Sequence, residues 1–168
     1  MTEEERRIRG YLQAQAAKLS PVELIGRVEA AMADLRTALF AVPADRLLQR
    51  PADEEWSAAE VMAHIIGAGA QFTDGIVRAL EGDSAQLSGN RTEPTGPPRS
   101  AVEWWGVLQR DRAALFERVR RTDPAANLDR AIDHGMFGSL NWRETLLFLR
   151  VHDLDHARQL QAIAAALS

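Results

Sequence analysis

Two histidines four residues apart, His152 and His156, are the side chains of this sequence best spaced for shared chemistry. An α-helix turns about 100° per residue, so side chains four apart lie about 40° apart around the axis and one turn apart along it. Both imidazoles can then reach one point in space. Trp142, Thr145, Phe148, Leu149, Leu160 and Ile163 recur at three- and four-residue steps on the same stripe, which turns the pair inward. Two neutral imidazole nitrogens on an inward face are half of a divalent-metal site, because zinc takes imidazole at about 2.0 to 2.1 Å with tetrahedral geometry. The alternative is a pair of core-edge histidines satisfied by neighbouring carbonyls. A third ligand would separate the two readings, and His64 offers one: it shares a stripe with Val61, Ala68, Phe72 and Gly75 and faces the same interior.

Other polar residues fall near this point. Gln159 projects close to the histidine direction and is the expected polar pocket residue. His134, in the glycine-flanked loop HGMFG, either enters the pocket mouth as an acid, base or substrate contact or is solvated. Asp153 and Asp155 flank the histidine face at roughly 60° on either side, either to hydrogen-bond a ligating histidine or a bound water or as surface or intersubunit charges. Glu60 stands one turn before His64 but is assigned to a helix cap. Gly67, Gly69 and Gly75 each cost a helix about 1 kcal/mol relative to alanine. Small residues here either leave space beside a metal or permit close helix packing.

Two other motif readings fail. HDLDH lacks the glutamate of HExxH. The His152-Asp153 doublet of HD-type phosphohydrolases would want a later aspartate, and only 12 residues follow His156.

The elements that must position these residues announce their starts as capping boxes, a Ser, Thr or Asn followed three residues later by Glu. Ser20–Glu23, Ser57–Glu60, Ser100–Glu103 and Asn141–Glu144 open four long helices, predicted near 20–41, 57–81, 100–121 and 141 onward. Their inward stripes include Leu24, Val28, Ala31, Leu35 and Leu39 in the first, and Trp104 or Trp105, Leu108, Leu115 and Val119 in the third. Thr2–Glu5 opens a short leading helix carrying Ile8, Tyr11, Leu12 and Leu19, packed on the bundle or on a second subunit. Gly82 to Arg99 and Asp123 to Leu140 read as loops. No segment shows the alternation of a strand, so the expectation is an all-α chain. Its connections, about 15 to 18 residues long, exceed those usual between adjacent bundle helices, so some must cross over or cover the bundle mouth.

Composition narrows the function. At 168 residues, 46% apolar and 26% charged, the chain suits one globular domain, a leading helix over 1–19 and a bundle over 20–168. It has no cysteine, which excludes disulfides and thiolate metal sites and fits a cytoplasmic location. The charged start MTEEERRIRG carries no apolar segment, and no run approaches the roughly 18 apolar residues of a membrane span. Arg110, Arg112, Arg118, Arg120 and Arg121 are interleaved with Asp111 and Glu117 in a chain of net charge −4. They read as a solvated helix face, and no nucleic-acid partner is expected.

WSAAEVMAHI and LNWRETLLFLRVHDLDHARQL together resemble the DinB-like (DinB/YfiT) superfamily of bacterial four-helix-bundle proteins, over most of the chain from about Ser20 onward. The first 19 residues match no pattern of that family. The resemblance implies an up-down-down-up bundle in which His64, His152 and His156 bind a divalent metal, Zn2+ or Ni2+ being the leading choices. Relatives of this kind include mycothiol-dependent maleylpyruvate isomerase and bacillithiol transferases. The functional expectation is therefore a metal-dependent transferase or hydrolase that activates a low-molecular-weight thiol or water toward a small electrophilic substrate, with a homodimer allowed by the family. The alternative is a non-catalytic small-ligand or stress-response bundle whose metal is structural or absent.

Overall fold

A computed structural model of the protein describes residues 1–88 and 93–168. Five helices run Glu3–Lys18 (α1), Pro21–Ala41 (α2), Ala58–Leu80 (α3), Ala101–Arg120 (α4) and Trp142–Leu167 (α5). Each begins at a cap the sequence marks. Thr2, Ser20, Ser100 and Asn141 accept from the N–H three residues on, and Glu5, Glu23, Glu103 and Glu144 return to the cap N–H. A cap of this kind contributes about 1 kcal/mol over alanine. The fifth departs from expectation. Ser57 accepts from the Glu60 N–H at 3.1 Å, but the Glu60 carboxylate turns away to Arg50 Nε at 2.8 Å, so only half of that box forms.

The core lies in two layers stacked along the bundle. One joins Leu24 and Val28 from the start of α2, Ile76 and Ala79 from the end of α3, Leu115 and Val119 from the end of α4, and Trp142 and Leu146 from the start of α5. The other joins Leu35 and Leu39 from the end of α2, Val61 and Ile65 from the start of α3, Trp104 and Leu108 from the start of α4, and Leu160 and Ile163 from the end of α5. Hence α2 and α5 run one way and α3 and α4 the other, an up-down-down-up four-helix bundle. Arg143 donates to the Leu19 carbonyl, tying the starts of α2 and α5 together. Because α3 and α4 are parallel, the connection from Leu80 to Ala101 must return the length of the bundle. The leading helix α1 packs against α5 and buries Leu12 and Ala16.

Two expectations need correction. The connections hold a small sheet: Ala85–Gln86 (β1), Ile132–Asp133 (β2) and Ser139–Leu140 (β3), with β1 parallel to β2 and β2 antiparallel to β3. Strands of two residues are too short for an alternating period to register in sequence. Of the loop expected between Gly82 and Arg99, residues 89–92 lie outside the described residues. Nor is the arginine cluster wholly solvated. Arg112 is 2% exposed and grips Asp153, itself 0% exposed, through two hydrogen bonds of 2.7 and 2.8 Å. Asp153 is thus a buried link between α4 and α5 and not a surface charge, whereas Asp155 is exposed. Among the described residues no helix is long and apolar enough to cross a membrane.

Candidate metal centre

The antiparallel packing of α3 on α5 brings His64 against His152 and His156. One ligand atom from each of the three lies within 4.8 Å of the others, and His64 Nε2 stands 3.2 Å from His152 Nε2. Two nitrogens on a tetrahedral ion with arms of about 2.0 to 2.1 Å would sit about 3.3 to 3.4 Å apart. The observed edge is within a few tenths of an ångström of that. The donor set is chemically apt, since imidazole is a ligand for zinc, nickel, copper and iron.

Tautomer and charge support the same fit. His156 Nδ1 lies 2.8 Å from Gln159 Oε1. A carbonyl oxygen only accepts, so Nδ1 carries the proton and Nε2 keeps the lone pair that a metal needs. Burial, and then the neighbouring His156, His64 and Arg112, hold the His152 imidazole well below its ordinary range and therefore neutral at pH 7. His152 departs from the usual metal-ligand pattern in one respect: its Nδ1 is buried with no hydrogen-bond partner among the described residues. The ring of Trp56 sits 5.1 Å from that of His64 and covers one side of the cluster.

Two hollows meet at His156. The first, about 230 Å³, is lined by the three histidines, by Phe72 and Phe148, and by His134, Met136 and Phe137. The last three are carried by the hairpin between β2 and β3, in which the His134 N–H donates to the Gly138 carbonyl at 3.0 Å. Gly135 and Gly138 close this turn with φ of 64° and 71°, a region that costs other residues strain. The second hollow is an open recess lined by Glu54, Glu55, Trp56 and Gln159.

His134 and Gln159 therefore both reach the site region, each to a narrower task than the sequence allowed. His134 Nε2 is 2.8 Å from Thr145 Oγ1, and its ring lies nearly parallel to Phe72 with centroids 5.9 Å apart. Burial lowers its pKa to about 4, against a small opposing pull from Asp133, so it is a neutral wall of the cavity at pH 7. Gln159 orients a histidine as well as lining the recess. Phe148 and Phe72 were visible as members of the histidine stripes, whereas Met136 and Phe137, brought in by a two-residue hairpin ladder, showed in the sequence only as the middle of the HGMFG loop. The two explanations for small residues divide between positions. Ala68 opens onto the cavity, whereas a Cβ at Gly75 would meet Leu87 Cδ2 at 3.1 Å and Ile132 Cγ2 at 3.2 Å, which is close packing.

No curated protein matches this sequence. Among solved structures the fold is similar to that of YfiT from Bacillus subtilis, described as a probable metal-dependent hydrolase with an unusual four-helix bundle topology. The TM-score is 0.67 at 13% identity, over 86% of this chain and 86% of that one. A family model for the DinB superfamily matches residues 27–160, leaving α1 outside and taking in all three clustered histidines. The chain belongs to the DinB superfamily.

Proposed function

We propose that this protein is a metal-dependent enzyme in which His64, His152 and His156 hold one divalent ion, and which directs water or a low-molecular-weight thiol at a small electrophilic substrate. The observation that carries the reading is the convergence of three imidazoles within 4.8 Å at the inner end of a cavity. When bound, such an ion supplies Lewis acidity, polarising a carbonyl and making water or a thiol nucleophilic near neutral pH. The protein's own residues do the rest. Gln159 holds the His156 proton on Nδ1, Phe72 and Phe148 keep bulk water from one side, and neutral His134 contacts substrate as part of the wall and is not the acid. Zinc and nickel both suit the donor set. The likeness to YfiT favours hydrolysis over thiol transfer.

A bundle with a purely structural ion would ordinarily close it with a fourth protein ligand. Among the described residues the cluster comprises three.

The test is metal content, by mass spectrometry, of untagged protein beside His64→Ala and His156→Ala. About one divalent ion per chain is expected in the wild type and almost none in either variant, with helical circular dichroism retained. Wild-type protein that takes up no ion, even when reconstituted with zinc, nickel, manganese and iron, overturns the proposal.

A further inference from the structure

We infer that the 230 Å³ cavity beside the three histidines selects an uncharged, flat, apolar group of about the size of a substituted benzene ring, held with its reactive polar end toward His152 and His156. This deepens the functional reading above by naming a substrate class, but the binding it describes does not itself require an ion.

Size sets the first limit. An engineered apolar cavity of about 150 Å³ takes up benzene, so 230 Å³ holds a ring with a substituent of a few atoms and excludes a sugar chain or a folded peptide. The walls set the shape. Phe72 and Phe148 meet edge to face with centroids 5.2 Å apart, Phe148 and Phe137 lie 5.1 Å apart, and the His134 ring stacks on Phe72 with its plane inclined by 19°. Such an array presents both ring faces and ring edges, which an aromatic guest can match in stacked or T-shaped contact.

Charge sets the third limit. Leu87 and Met136 complete the apolar lining, and no Asp, Glu, Arg or Lys is among the described residues that line this cavity. His134 remains neutral at pH 7 and its Nε2 is already engaged by Thr145. Away from the histidine end, a carboxylate or ammonium would shed water with no oppositely charged side chain in the lining to replace it. Besides the neutral His134 ring, the polar groups among the described lining residues are the three histidines inside and the Gln71–Ser88 pair, 3.3 Å apart, at the mouth. The acidic groups lie elsewhere, Glu54 and Glu55 lining the recess on the other side of His156. A neutral aromatic ester or amide, or a comparable electrophile, has the required form.

The experiment titrates full-length protein as purified, with its metal content measured in the same sample, using benzyl alcohol, benzenesulfonate and benzylammonium at pH 7. Binding is read from the methyl resonance of Met136, which is 59% exposed at the mouth and so reports without disturbing the core. Benzyl alcohol should shift that resonance saturably, benzylammonium should bind at least roughly tenfold more weakly, and benzenesulfonate should be as weak in a sample stripped of its ion with a chelator. Ala68→Phe, which fills the cavity, should remove the benzyl alcohol response; the wild-type resonance carries the test by itself if that variant does not fold. Equal binding of benzylammonium, equal binding of benzenesulfonate to the ion-free sample, or no Met136 response to benzyl alcohol overturns the inference. Selectivity in a sample that holds no ion would leave this inference standing while the metal reading falls. An ion at full occupancy without selectivity would do the reverse.

Discussion

Replacing Asp153 with asparagine should cost this protein about 3 to 5 kcal/mol, although the change is nearly isosteric and removes none of the clustered histidines. Arg112 and Asp153 are 2% and 0% exposed and joined by two hydrogen bonds of 2.7 and 2.8 Å. At an effective dielectric of 20, two charges about 4 Å apart attract by about 4 kcal/mol. Withdrawing each ion from water costs several kcal/mol, so the intact pair comes out near balance. Asparagine removes the attraction and leaves the Arg112 desolvation uncompensated. For a chain of 168 residues, at about 2 to 4 °C per kcal/mol, the midpoint should fall by roughly 6 to 20 °C. The double replacement Arg112→Met with Asp153→Leu removes both charges and should recover to within about 1 kcal/mol of wild type, or exceed it. Urea denaturation of wild type, Arg112→Met, Asp153→Leu and the double variant closes the cycle and gives the coupling directly. A loss below about 1 kcal/mol in Asp153→Asn would show that water reaches the pair, and the clamp between α4 and α5 at the level of the histidines would have to be abandoned.

Two glycines on one helix should respond to alanine with opposite sign. A Cβ at Gly69 meets nothing within 4 Å, so Gly69→Ala should add roughly 0.5 to 1 kcal/mol through helix propensity; at Gly75 the same gain is outweighed because Ile132, wholly buried in β2, cannot yield, and urea midpoints should fall. Matching signs at the two positions would contradict the packing described. His134 should make the fold acid-sensitive. An unfolded chain protonates this imidazole as pH drops through about 6.5, whereas the folded one waits until about 4. Its contribution is therefore complete above pH 6.5 and is lost progressively toward pH 4, by at most about 3 kcal/mol. Urea curves at pH 7, 5.5 and 4.5 should diverge from those of His134→Gln only below about 6.5, and parallel pH dependences would defeat the assignment.

The parts of this protein that periodicity encodes could be read before any coordinates. Helix starts followed from the cap residues, and the three histidines fell on apolar stripes that α3 and α5 do bury against each other. What periodicity cannot encode is a partner on another element. Arg112 sits among exposed arginines, and only the position of α5 reveals that this one side chain has Asp153 opposite it, 41 residues away. Glu60 presents the same difficulty at shorter range, since nothing in the box Ser57–Glu60 announces that Arg50 competes for the carboxylate. The segment carrying His134, Met136 and Phe137 could be read as a glycine-flanked loop with a place at the pocket mouth, but its strand pairing could not, the ladder being two residues long. Sequence thus reaches the histidines, which regular helices deliver, and stops short of the cavity, which irregular connections complete. The same division bears on chemistry: bundles of this topology can share the histidine-bearing helices and still differ in what they admit, because the Leu87 and Met136 side of the cavity comes from connections that the helical pattern does not constrain.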